Sequence, residues 1–62
     1  MRILLVEDHR DSRLLLARVL RRDGHHVREV ESAAFALAAC DSQPFDLILS
    51  DIGLPEPKEL TQ

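Results

Sequence analysis

The sequence has one cysteine, no tyrosine, no tryptophan, two phenylalanines and a single lysine, Lys58. Cys40 has no partner within the chain, so no internal disulfide can staple it. A lone thiol suits a reducing compartment, and the chain is expected to be cytoplasmic. No apolar run approaches the roughly 20 residues that span a bilayer, and Glu7-Asp8 interrupts any stretch behind Met1-Arg2 that could serve as a signal peptide. The scarcity of aromatic rings excludes a stacking platform for single-stranded bases. Nucleic acid and membrane are therefore both excluded as partners.

What is present is charge, unevenly divided. The 62 residues carry a net charge of −3, with seven arginines against four acids in residues 1–28 and one lysine against seven acids in residues 29–62. The arginines fall among leucines at helical spacing, as on a solvated helix face. A chain of this length holds one domain at most and buries only roughly 60% of its unfolded surface.

Short apolar runs alternate with helical periodicity, the pattern of a βαβ unit. Ile3-Leu4-Leu5-Val6 reads as a strand buried on both faces. Ser12, Leu15, Leu16, Val19 and Leu20 form the apolar stripe of a first helix, which Gly24 is suited to stop. Val27-Arg28-Glu29-Val30 is a short strand with the polar middle of a sheet edge. Ser32 is suited to cap a second helix running to about Cys40, with Ala33, Ala36, Leu37 and Cys40 inward. Cys40 reads as a small core residue. Phe35, beside Ala34, Ala38 and Ala39, falls outside that stripe and marks a candidate partner surface. The third strand is Phe45–Ile52, and Gly53-Leu54-Pro55-Glu56-Pro57 breaks regular structure after it. The fold class is α/β, a (βα)2β unit with a parallel sheet. Right-handed crossovers around a central first strand give the order 2-1-3 with one helix on each face. Residues 1–55 are the domain and 56–62 a C-terminal tail.

Three carboxylates should gather where this sheet ends. Glu7 and Asp8 follow the first strand and Asp51 ends the third, its neighbour, so all belong to the carboxyl edge at which α/β proteins place ligands. Like charges so close either raise a pKa or share a divalent cation, and oxygen-only donors favour Mg²⁺ or Ca²⁺. The blander alternative is that acids punctuate strand ends and face water. His9 is expected to be a solvated loop residue, and the adjacent His25 and His26 to point apart without a shared ligand.

The chain resembles the first half of a response-regulator receiver domain, from Ile3 to about Pro55. The likeness rests on Ile-Leu-Leu-Val-Glu-Asp at 3–8, Asp-Gly-His-His-Val at 23–27 and Phe-Asp-Leu-Ile-Leu-Ser-Asp-Ile-Gly-Leu-Pro at 45–55, in this order and spacing. It implies a truncated flavodoxin-like half-fold and a role in two-component phosphorelay signalling. By position, Asp51 matches the aspartate that accepts a phosphoryl group from a histidine kinase. Asp8 matches a Mg²⁺ ligand, Glu7 the adjacent assisting acid, and Gly53 the residue whose carbonyl completes the metal set with Asp51. The family's hydroxyl residue after strand 4 and lysine after strand 5 have no counterpart, since Thr61 and Lys58 match neither position.

Two functional readings follow: Mg²⁺-dependent phosphoryl acceptance at Asp51, or an interaction module that binds a kinase or receiver partner without being phosphorylated. A small phosphatase of the haloacid-dehalogenase type would need a second acid two residues after its nucleophile, where Asp8 is instead followed by His9-Arg10. The chain is not expected to be an enzyme. Leu47, Ile48 and Leu49 make the third strand interior in composition but an edge by count. The expected remedy is a homodimer through that edge, with a tail exchange as the other route.

Overall fold

The computed structural model describes residues 1–50. The order is β1 (Arg2–Val6), α1 (Arg10–Arg22), β2 (His26–Val30), α2 (Ala33–Ser42) and β3 (Leu47–Ser50). All strands are parallel in the order β2-β1-β3, as the right-handed crossover rule requires of a chain whose first strand is central. The expected Asp51-Ile52 end of the third strand, the domain boundary at residue 55 and the tail lie outside the described residues.

β1 has the composition of an interior strand and the burial to match, with Ile3, Leu4, Leu5 and Val6 all at or below 2% exposure. Successive side chains point to opposite faces of a strand. Leu4 and Val6 join Val30 and Ala39, with Ala36 and Phe45 packed against them, under α2. Ile3 and Leu5 therefore face the side covered by α1. Gly24 stops α1 at φ +90°, a conformation that costs residues with a Cβ, and its N–H donates to the Arg21 carbonyl at 3.0 Å. The Ser32 hydroxyl accepts the Phe35 N–H at 3.3 Å and caps α2.

The helix faces differ from those expected. On α1 the buried residue is Ala17, with Arg13 and Leu20 half-buried beside it, while Leu15 is 61% exposed and Leu16 and Val19 are also exposed. On α2 the buried residue is Ala39, and Ala33, Leu37 and Cys40 face outward. Cys40 is thus a surface thiol and not a core residue. The reason is close approach: each helix seats a methyl against the sheet, and a larger side chain at that point would hold it away. Phe35 is exposed, as expected.

Neither helix touches β3; α1 and α2 pack only on β1 and β2. Leu47, Ile48, Leu49 and Ser50 are in consequence all exposed. Among the described residues, β3 thus combines an interior-type sequence with an edge position. β3 is fastened at its start instead, where the Arg2 N–H donates to the Asp46 carboxylate at 2.7 Å and the Asp46 N–H donates to the Arg2 carbonyl at 2.8 Å.

Candidate metal and phosphoacceptor site

The register pairs Val6 with Val30 on one side and with Ser50 on the other. Glu7 follows Val6 at this carboxyl edge, and Asp51, next in sequence after Ser50, lies with Gly53 outside the described residues. Of the expected set, Glu7 and Asp8 are therefore the two the structure brings together.

Their environments differ sharply. Glu7 is 3% exposed; its N–H donates to the Val30 carbonyl at 3.1 Å, and its own carbonyl accepts from Arg13 Nη1 at 2.9 Å. The chain turn after β1 thus draws on both β2 and α1. Asp8 projects into water. His9 forms the N-cap position of α1 with extended backbone (φ −82°, ψ 118°) and no side-chain cap bond. Its N–H donates to Glu7 Oε1 at 3.0 Å, and its Nδ1 lies 3.4 Å from Glu7 Oε1 and 3.2 Å from Asp8 Oδ1. His9 is solvated, as expected, with its side chain 80% exposed. What the sequence reading missed is that it faces both acids. A cap position three residues past a strand end was the available clue, because the strand-to-helix turn folds residues 7–9 back on themselves.

Electrostatics follow this geometry. His9 is raised above its ordinary value of 6.5, first by its hydrogen bond to Glu7, then by the charges of Asp8 and Glu7. Asp8 is lowered from 3.8, first by its hydrogen-bonded link to Glu7, against an opposing desolvation effect, and then by the His9 charge. Among the described residues, His9 is the one basic side chain within ion-pair distance of either carboxylate. Glu7, Asp8 and His9 each place a donor atom within 4.8 Å of the others. A buried carboxylate beside a second one, with no arginine among the described residues paired to either, fits a hard divalent cation.

Elsewhere, His25 Nδ1 lies 3.2 Å from the N-terminal amine at the opposite end of the sheet, and no ligand cluster forms there among the described residues. No helix among them is long and apolar enough to cross a membrane.

Comparison with known proteins agrees with this architecture. Residues 3–59 match the model of the response regulator receiver domain. The chain is 42% identical over 55 residues to the response regulator receiver protein CpdR of Brucella abortus, covering 89% of this chain and 46% of that protein. It is 49% identical over 53 residues to the sensor histidine kinase AruS of Pseudomonas aeruginosa, covering 86% of this chain and 5% of the kinase. With the transcriptional regulatory protein TcrA of Mycobacterium tuberculosis it shares 43% identity over 54 residues, 87% of this chain and 21% of that protein. The chain thus spans about half the length of the first of these relatives and less of the others. Receivers of this family are phosphoacceptor modules that bind Mg²⁺ at an acidic pocket and interact with histidine kinases and other receivers. With its 2-1-3 parallel sheet, its acidic carboxyl edge and this match, the chain belongs to the response regulator receiver domain family of two-component signalling.

Proposed function

We propose that the chain accepts a phosphoryl group at Asp51 in a Mg²⁺-dependent step, with Glu7, Asp8, Asp51 and the Gly53 carbonyl forming the metal pocket. The observation that carries this reading is the buried Glu7 carboxylate beside Asp8 at the carboxyl edge of β1, the neighbour of β3. A bound Mg²⁺ would supply positive charge to offset the acidic pocket and the phosphoryl oxygens. Asp8 and Glu7 hold the charge that recruits it, and the Arg13 bond to the Glu7 carbonyl keeps the turn in place. An Asp51 carboxylate oxygen forms the new bond to phosphorus, the bond to the donor breaks in line, and the electron pair leaves with the donor. The product is an acyl phosphate on Asp51; the chain is an acceptor and does not turn over as an enzyme.

The test is incubation with acetyl phosphate and Mg²⁺, with beryllofluoride as a control, read by intact mass. Addition of one phosphoryl group to the wild type and none to Asp51→Asn supports the reading. No addition under any condition supports the second reading, a binding module for a kinase or receiver. The exposed Leu14 and Leu15, flanked by Arg18, Arg21 and Arg22 on α1, favour that alternative. On partners, the β3 edge, which no other strand pairs among the described residues, supports pairing with a second copy through Leu47, Ile48 and Leu49. A cytoplasmic setting accords with the unpaired Cys40.

A further inference from the structure

The end of the sheet away from the acidic edge carries the opposite charge. β1 and β2 set Arg2 beside His26 and Leu4 beside Arg28 in register. Paired residues of neighbouring parallel strands share a face, as do residues two apart along one strand. Arg2, His26 and Arg28 therefore stand on the face where Leu4, Val6 and Val30 pack under α2. α2 ends at Ser42, and the chain leaving it brings Gln43 and Phe45 alongside them. The result is a cleft of about 290 Å³ lined by Arg2, His26, Val27, Arg28, Gln43 and Phe45. Phe45 is half-buried against the core, while Arg2, His26 and Arg28 are exposed. Basic side chains gathered on one corner of a sheet repel one another unless something offsets them. Among the described residues, the side-chain ion pairs are made by His9, Arg13 and Arg21, and Arg2 and Arg28 have none. Asp46 gives its Oδ2 to the Arg2 N–H at 2.7 Å and makes no ion pair with the Arg2 guanidinium.

We propose that this cleft binds a small phosphate monoester, with the phosphate held between Arg2 and Arg28. The corner is cationic, so it recruits an anion and not a metal. A guanidinium grips phosphate through two parallel N–H···O bonds. Here the donors come from two strands: a strand spacing of about 4.8 Å and a rise of about 3.3 Å per residue put the Arg2 and Arg28 Cα atoms about 8 Å apart. A phosphate monoester turns three acceptor oxygens in different directions and can face both guanidinium groups. A carboxylate offers two oxygens in one plane and satisfies one of them. His26 and the Gln43 carboxamide add N–H donors to the same cleft. The Phe45 ring gives the organic part an apolar wall, and the volume sits at the low end for small-molecule sites. The cleft lies at the far end of the sheet from Glu7, so it is separate from phosphoryl acceptance at Asp51 and does not depend on it.

The experiment is an NMR titration of the isotopically labelled 62-residue chain with phenyl phosphate, and separately with benzoate, at fixed ionic strength and without Mg²⁺. Phenyl phosphate should give saturable amide shifts centred on Arg2, His26, Arg28 and Gln43, and benzoate should bind about tenfold more weakly or not at all. Arg28→Gln should weaken phenyl phosphate by about tenfold or more, the loss of hydrogen bonds to a charged group, and Arg28→Lys should weaken it less. Arg2→Gln repeats the test on the other strand. Arg28 is exposed and unpaired among the described residues, so the urea midpoint of ligand-free Arg28→Gln should not fall. Phenyl phosphate should raise the midpoint of the wild type and not that of Arg28→Gln. Shifts that never saturate, that spread equally to Arg18 and Arg22 on α1, or that benzoate reproduces at equal strength overturn the proposal. Undiminished binding in both arginine variants overturns it as well. Asp51→Asn should bind phenyl phosphate like the wild type; loss of binding there would place the ligand at the other end of the sheet and sink this site alone.

Discussion

Glu7, Asp8 and His9 are consecutive, yet Glu7 is buried while Asp8 and His9 are in water, and the titration of the two exposed groups follows from their contacts with Glu7 and with each other. His9 is raised in the folded chain, so its contribution to stability is complete below its unfolded value near 6.5 and fades as pH rises through the higher folded value. Asp8 is lowered, so its contribution is present above its unfolded value near 3.8 and fades as pH falls through the lower folded value. Both effects are small because both groups are solvated. A proton NMR titration should place the His9 midpoint above the ordinary histidine value and, in Glu7→Gln, bring it back toward that value. An unmoved midpoint would show that Glu7 does not govern His9. His9 was legible in the sequence as a loop residue, but its inward contacts were not, because they depend on the turn angle between β1 and α1.

The two helices are held by different means. Glu29 on β2 receives Arg21 Nη1 at 2.9 Å and lies 3.8 Å from Arg13 Nε. Arg21 Nη2 also donates to the Val27 carbonyl at 2.9 Å, so α1 is strapped to β2 by charge as well as by Ala17. Glu29→Gln should lower stability by about 0.5–1 kcal/mol, a value suited to partly exposed pairs, and the loss should shrink in high salt. Chemical denaturation at two ionic strengths checks both points. α2 depends on its cap: Ser32→Ala should cost about 1 kcal/mol, seen as a lower urea midpoint with an unchanged slope. The existence and order of these elements were readable from Gly24, Ser32 and the apolar runs. The buried faces were not, because Leu14-Leu15-Leu16 and the Ala33–Cys40 run present apolar residues in several directions, and periodicity cannot choose among them.

Across the whole molecule, stability is concentrated in one strand. Leu4 is fully buried, and Leu4→Ala should cost roughly 2–5 kcal/mol. A domain of this size has only about 3–9 kcal/mol in total at ordinary per-residue stability, so this variant should lose a large share of it, seen by circular dichroism as a clearly lower denaturation midpoint. Leu37 is 71% exposed, and Leu37→Ala should change stability by no more than about 0.5 kcal/mol. The opposite imbalance holds at β3, which neither α1 nor α2 covers. If a second copy pairs there, sedimentation should show association that rises with concentration and is lost in Ile48→Lys; a concentration-independent monomer would exclude that pairing.

By itself the sequence determined which segments become strand and helix, their parallel 2-1-3 order, and the acids that follow the first and third strands. Those features are local in origin or follow from the handedness of crossovers. Only the tertiary structure decided that Ala17 and Ala39, and not the leucines, seat the helices, that Glu7 is buried while Asp8 is not, and that His9 closes on both. These outcomes turn on how near one backbone can come to another, and that distance is set jointly by every side chain between them.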